Sequence, residues 1–323
     1  MKKSFLLFVA IFSFCLFASS QFKGITDKVL GEKSPVTSLL KKPPPITTNF
    51  KDDTKMEGSM PESFGNDKTY IPLYKMKAAE KGGFVLCPGY YEMTNMSYCL
   101  KAGTHGPSEG DGYMFAPTKG KMDDIVNAIL ENHAAKHAEV PQRDVQMLLW
   151  AIIARAKFKN LSGKLKVVSS LLLTPDQIVK LNGGYAETIG GEALKQGLVD
   201  VPPAVQQVME AENNIRRLVE TGVDSYEDFE RYAILAGMAT VDRSDVKKGM
   251  WSLHPGGYYI RYFPSGYSRT KVQIYVPDTK GQVIYNAVGT IACPANTGAQ
   301  RLAQTNTPLE KPETTFTDPC AGK

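Results

Sequence analysis

Histidine and cysteine are scarce in this chain, at four and five among 323 residues. No His-Glu-x-x-His is present and no cysteine pair has zinc-finger spacing, so no metal site is expected. No P-loop, Rossmann glycine fingerprint or nucleophile-elbow serine occurs either. The paired glycines at Gly183-Gly184 and Gly190-Gly191 fall between helical segments rather than after a strand, so they do not make a phosphate cradle. No cofactor is implied. Charge of one sign is also lacking. The formal net charge is only +5, too small to point to nucleic acid.

Only one run of the chain is long and apolar, and it lies at the start. Lys2 and Lys3 form a positive n-region, Phe5 to Phe17 is an almost unbroken apolar stretch, and Ala18-Ser19-Ser20 offers small residues before Gln21. That three-part pattern predicts a secretory signal peptide over residues 1–20, too short for a membrane span. Cleavage would leave 303 residues with a net charge of +3, since the leader carries two lysines and no acid. No later stretch is long and apolar enough to cross a bilayer. The expectation is an exported protein, periplasmic, at the cell surface or extracellular. Its partner would be a protein or a glycan at the envelope.

What remains is an ordinary globular mixture, with 42% hydrophobic and 22% charged residues, which excludes full disorder, collagen and coiled coil. Residues 21–65, polar, Lys-rich and broken by Pro43-Pro44-Pro45, predict a flexible or polyproline arm. Residues 66–165 read as a mixed region. Short apolar strands surround Cys87 and Cys99, a Gly-rich loop covers 103–120, and two helices follow. The first places Met122, Ile125, Val126, Ile129 and Leu130 on one face. The second runs from about Arg143 to Phe158, with so little charge that deep burial is expected.

Residues 166–245 read as helical. Thr174-Pro175-Asp176-Gln177 is a capping box with proline at the first helical position. Pro203 opens a longer helix and Ser225 caps the next. From 246 to 323 the period switches to two, predicting a small β-rich part with a Thr/Pro/Asn-rich tail. The fold class is therefore α+β: a mixed strand and helix region, a helical middle and a β-rich C-terminal part.

An exported chain with four remaining cysteines, Cys87, Cys99, Cys293 and Cys320, is first read as having two disulfides. Three connectivities are open, and sequence proximity favours Cys87–Cys99 and Cys293–Cys320. A second reading competes for Cys99. Tyr98-Cys99-Leu100, followed by Val145-Gln146-Met147-Leu148-Leu149-Trp150, resembles the bacterial thioester domains of surface adhesins. Those carry a strand-borne Tyr/Phe-Cys-Ile/Leu motif and a Thr-Gln-x-Ala-x-Trp motif at a helix start. The resemblance covers these two motifs within residues 85–155. It implies a Cys99–Gln146 internal thioester, formed as the thiol displaces ammonia, and so covalent attachment to a partner amine or hydroxyl. Gln146 and Trp150 share a helix face, and a dry pocket would protect the bond from water.

Three further groups merit testing. His133 and His137 are spaced i, i+4, with His105 as a third residue of metal-binding type, although an exposed helix end also suits them. Glu109 and Asp111 in the Gly-rich loop, with Glu92, could supply paired carboxylates for glycoside cleavage, which makes an exported wall hydrolase the alternative function. Tyr258, Tyr259, Arg261, Tyr262 and Arg269 form an aromatic, Arg-rich hairpin, read either as a binding surface or as strand packing.

Overall fold

A computed structural model describes residues 39, 42–183, 189–198, 201–239, 245–313 and 315–321. The expected signal peptide and the first part of the arm lie outside the described residues. The protein is a mixed α+β structure. Its strands are β1 (Ile71–Pro72), β2 (Phe84–Leu86), β3 (Gly89–Cys99), β4 (Thr104–His105), β5 (Tyr113–Pro117), β6 (Ile234–Leu235), β7 (Ser252–Leu253), β8 (Tyr259–Pro264), β9 (Arg269–Val276), β10 (Val283–Tyr285), β11 (Thr290–Pro294) and β12 (Leu302–Pro308). Its helices are α1 (Phe50–Asp53), α2 (Asp123–Ala135), α3 (Gln142–Ile153), α4 (Gly163–Leu172), α5 (Pro175–Asn182), α6 (Gly191–Gly197), α7 (Pro203–Glu220) and α8 (Tyr226–Ala233).

Eight strands make one sheet in the order β5-β11-β12-β3-β9-β8-β7, with β1 paired to β3. All pairings along this path are antiparallel. The sheet curls until it is nearly closed, and the Phe115 N–H on β5 donates to Ser252 Oγ on β7 at 2.8 Å. The C-terminal strands are thus not a separate β-rich part. β9 and β12 flank β3, and β11 pairs with β5, so both ends of the chain build a single sheet.

Alternation along β3 sorts its side chains. Tyr91, Met93, Asn95, Ser97 and Cys99 point inward and are fully or almost fully buried. Registered with them are Leu302 and Gln304 on β12, and Thr270, Val272 and Ile274 on β9. The opposite face carries Tyr90, Glu92, Thr94 and Met96, all partly exposed, and then Tyr98, buried against His133 of α2. Two periods meet at one core, which joins buried residues of the sheet to the apolar faces of α2, α3, α4, α7 and α8.

The helix of greatest consequence is α3. Ten of its residues, from Asp144 to Ile153, are buried. It stops before the expected Phe158 because Arg155 adopts a left-handed φ of 60°. The Arg155 N–H bonds to Ile152 O and the Ala156 N–H to Ala151 O, both at 2.9 Å, the closing pattern that usually uses glycine. An ion pair from Arg155 to the buried Glu212 at 2.5 Å holds the arginine there. Elsewhere the helix signals match the structure. The Thr174–Gln177 capping box is formed, and Ser225 accepts from Asp228 N.

From residue 42 onward the expected flexible arm is docked. Phe50 and Ile46 are buried, the Thr48 hydroxyl donates to Pro117 O, and Met60 pairs with Trp251 through two backbone bonds. Pro45 and Ile46 lie so close to Gly120 that a Cβ there would sit 2.1 Å from Pro45 O. Two apolar anchors in a polar stretch are enough to fix it.

The disulfide is Cys87–Cys320, with a Cα–Cα distance of 5.4 Å, in place of the pairs favoured by proximity. The reason is β3 itself. Gly89 to Cys99 is one continuous extended strand, so Cys87 and Cys99 are roughly 30 Å apart and far outside bonding range. Cys99 and Cys293 are both free and buried. They cannot pair with each other: β12 lies between their strands, and they occupy opposite faces, because Ala292 rather than Cys293 shares the face of Leu302 and Cys99.

Candidate functional site

Cys99 ends β3, and its two peptide groups face away from β12, since Leu100 N–H rather than Cys99 N–H bonds across to Arg301 O. On the other side β9 is no longer present. Its last registered pair is Met96↔Arg269, followed by a Ser97 N–H to Ser268 O bond. Helix α3 takes over from there. Gln142 Nε2 donates to Ser97 O at 3.0 Å and to Ser268 O at 2.8 Å. One turn later, Gln146 Oε1 accepts from Cys99 N at 2.8 Å and Gln146 Nε2 donates to Cys99 O at 3.1 Å. Two glutamine side chains at i, i+4 thus continue the sheet along a helix edge. The structure brings the two thioester candidates, 47 positions apart, into direct contact.

Cys99 itself is wholly buried. Burial pushes its thiol well above the ordinary cysteine range, and Glu230 adds to the effect. The surroundings hold several buried polar atoms with no hydrogen-bond partner among the described residues: Trp150 Nε1, Tyr113 Oη, Gln300 Oε1, and both Oε1 and Nε2 of Gln304. Such orphans are uncommon in native proteins and call for an explanation. Gln304 shares the inward face of Cys99 by register. Gln300, two residues before the Leu302 that opposes Cys99, makes only two long bonds of 3.3 Å from its Nε2, to Thr104 O and Ala233 O. The sequence reading missed both glutamines. Nothing in the polar tail that contains them signalled burial, and only strand pairing places them.

A third set of groups closes the site. Tyr267, in the turn between β8 and β9, donates its hydroxyl to Glu230 of α8, and the Tyr226 hydroxyl lies 2.7 Å from that of Tyr267. Both rings pack on Trp150, at centroid distances of 5.5 and 6.3 Å.

The other candidates are placed elsewhere. His133 is not at an exposed helix end. It is buried, its Nε2 is bonded to Val140 O at 2.8 Å, and its Nδ1 is 2.9 Å from Tyr98 Oη. A carbonyl can only accept, so Nε2 carries the proton, Nδ1 accepts from tyrosine, and neither nitrogen is left for a metal. His137 instead bonds Glu139 at 2.9 Å. His105 pairs through its backbone with the Ala299 segment.

Asp111 accepts from Ser108 N in its own loop, and Glu92 accepts from Gln273 on the outer sheet face. Glu109 lines a surface groove of about 520 Å³ with Lys248, Phe263 and Lys271. Asp111 and Glu92 do not line that groove.

In the hairpin, Tyr258, Tyr262 and Arg261 are buried, which favours strand packing over a binding surface for these three. Arg261 bonds Gln273, Glu62 O, Phe64 O, Asn66 and Tyr70, and lies over Trp251 at 4.3 Å. Tyr259 stacks on Tyr275, and Arg269 pairs with Glu310.

No family model matches this chain, and neither a curated protein nor a solved structure shows significant similarity to it. The functional reading therefore rests on the geometry.

Proposed function

We propose that this is an exported envelope or surface protein that attaches covalently to a protein or glycan partner through an internal thioester on Cys99. The observation that carries the reading is a buried, unpaired cysteine set among buried carboxamides, one of them bonded to its own backbone. A thioester needs a thiol, an amide carbon and exclusion of water, and the burial of Cys99, Gln146 and Gln304 supports the reading. Formation joins Cys99 Sγ to the amide carbon and releases ammonia. Attachment then transfers the acyl group to an incoming amine or hydroxyl and returns the thiol.

Hydrogen bonding divides the glutamines by role. Gln146 uses both amide atoms on Cys99. Losing its nitrogen as ammonia would leave the buried Cys99 carbonyl unpaired, a cost of about 1–3 kcal/mol. Both amide atoms of Gln304 are unused among the described residues, so it pays no such penalty, whereas Gln300 Nε2 already donates to Thr104 O and Ala233 O. We assign the acyl donor to Gln304 and the positioning of Cys99 to Gln146, so a Cys99–Gln304 linkage takes the place of the expected Cys99–Gln146 linkage.

Intact mass of the unreduced protein tests the reading. A mass short by one ammonia, abolished in Cys99→Ala, is expected. Full mass, with Cys99 open to alkylation after denaturation, would refute it. Methylamine opening followed by peptide mapping then locates the donor, because the glutamine that held the thioester becomes N-methylglutamine. N-methylation of Gln146 would overturn the division of roles.

A further inference from the structure

The thioester reading leaves one cluster beside Cys99 unexplained. Tyr226, Tyr267 and Glu230 form a hydrogen-bonded line whose direction can be read. A phenol has one proton, and that of Tyr267 is committed to the Glu230 carboxylate. Tyr226 must therefore donate to Tyr267 across the 2.7 Å contact. Both protons point toward Glu230. The three residues are only partly buried, whereas Cys99, Gln146 and Trp150 are closed to solvent. The line thus connects the dry site to its surface.

Its position is fixed from two sides. The Tyr267 carbonyl accepts from Ser97 Oγ at 3.0 Å, and Ser97 is the inward-facing residue next to Cys99 along β3. Trp150, which supports both tyrosine rings, is one turn after Gln146 on α3. Arg143, one helical turn before Met147, covers the outer ring, with its guanidinium 4.8 Å from the Tyr226 centroid. Among the described residues, Tyr267, Tyr226 and Cys99 interact with Glu230. Arg143 and Glu227 pair with each other at the rim.

We propose that Glu230, in line with Tyr267 and Tyr226, is the proton relay of the Cys99 site. When an amine attacks the thioester, a C–N bond forms and the C–S bond breaks. The nitrogen must shed one proton and the departing sulfur must gain one. Glu230 takes the first and supplies the second, with no net change in protons and no redox step. This role rests on the thioester reading, and the experiment separates the two.

The probe is methylamine, and the readout is the rate at which the mass deficit of the full chain is replaced by the mass of the amine, followed across pH. Glu230→Gln keeps the size of the side chain and an acceptor for Tyr267. It is expected to slow the reaction roughly 100-fold and to flatten the pH–rate profile, a typical loss for a proton-transfer group. Tyr267→Phe, which cuts the line while retaining the ring against Trp150, is expected to slow it by about tenfold or more. Both variants should melt close to the wild type. Rates within about twofold of wild type in both, with an unchanged pH profile, would overturn the relay and leave the thioester standing. A wild-type chain of full mass would overturn both.

Discussion

Gln146 grips Cys99 by both of its peptide groups, donating to the carbonyl and accepting from the N–H. This side chain does the work of a missing strand. Gln146→Ala removes both bonds and leaves two buried backbone groups unpaired. An expected destabilisation of about 2–4 kcal/mol follows, readable in the urea midpoint. Gln146→Glu keeps the acceptor and, as a carboxylate, loses the donor, so it should retain part of that stability only at pH low enough to protonate it.

The Cys87–Cys320 bond closes a loop spanning 233 positions and ties the C-terminal tail to the start of β3. Cys320→Ser should cost about 2–5 kcal/mol in chemical denaturation. It should also make the segment after Leu309 the first to be cut by protease. Peptide mapping without reductant should find this pair and no Cys87–Cys99 or Cys293–Cys320 bridge.

Arg261 is a clamp, with bonds to five residues from two separate segments, residues 62–70 and β9. Arg261→Ala should destabilise the protein by about 3 kcal/mol, as expected for a buried hydrogen-bonded charge whose partners are stranded. Residues 60–70 should then exchange amide protons faster. A loss of partner capture with unchanged stability would instead restore this residue to a binding surface.

His254 lies between the rings of Phe115 and Tyr258, at centroid distances of 4.4 and 4.3 Å, and its Nδ1 accepts from the Gly256 N–H. Burial lowers its pKa from 6.5 to about 4. The unfolded chain therefore binds the proton first. Stability from this residue is present above about pH 6.5 and is lost as the pH falls toward 4. The buried, neutral His133 is shifted in the same direction by the same cause. Melting temperature should fall on acidification through this window, and His254→Phe should flatten part of the slope.

Much of the local structure was legible without coordinates. Thr174, Ser225 and Pro203 mark helix starts because capping is chemistry between near neighbours. The uncharged run after Asp144 announces a buried helix because burial tolerates few charges. The contact between Cys99 and Gln146 was legible only through a resemblance of two short motifs, not from periodicity or composition.

Long-range facts followed another rule. Local signals gave only short strands around Cys87 and Cys99, not the single strand from Gly89 to Cys99 that holds the two cysteines apart, nor the arrival of Cys320 from the far end of the chain. A run such as Tyr258 to Tyr262 alternates correctly, yet only the pairing of β8 with β9 decides which of its residues are buried. Gln300 and Gln304 sit in a polar tail that sequence alone reads as surface. Gln304 became a core residue because β12 pairs with β3, and Gln300 because its backbone bonds His105 O just before that strand. By itself the sequence read β5 as part of a Gly-rich loop and α1 as part of a flexible arm, but it marked most of the helices and singled out candidate residues. The tertiary structure decided which of those residues share a dry pocket, because strand register and disulfide geometry are set by contacts between distant parts of the chain.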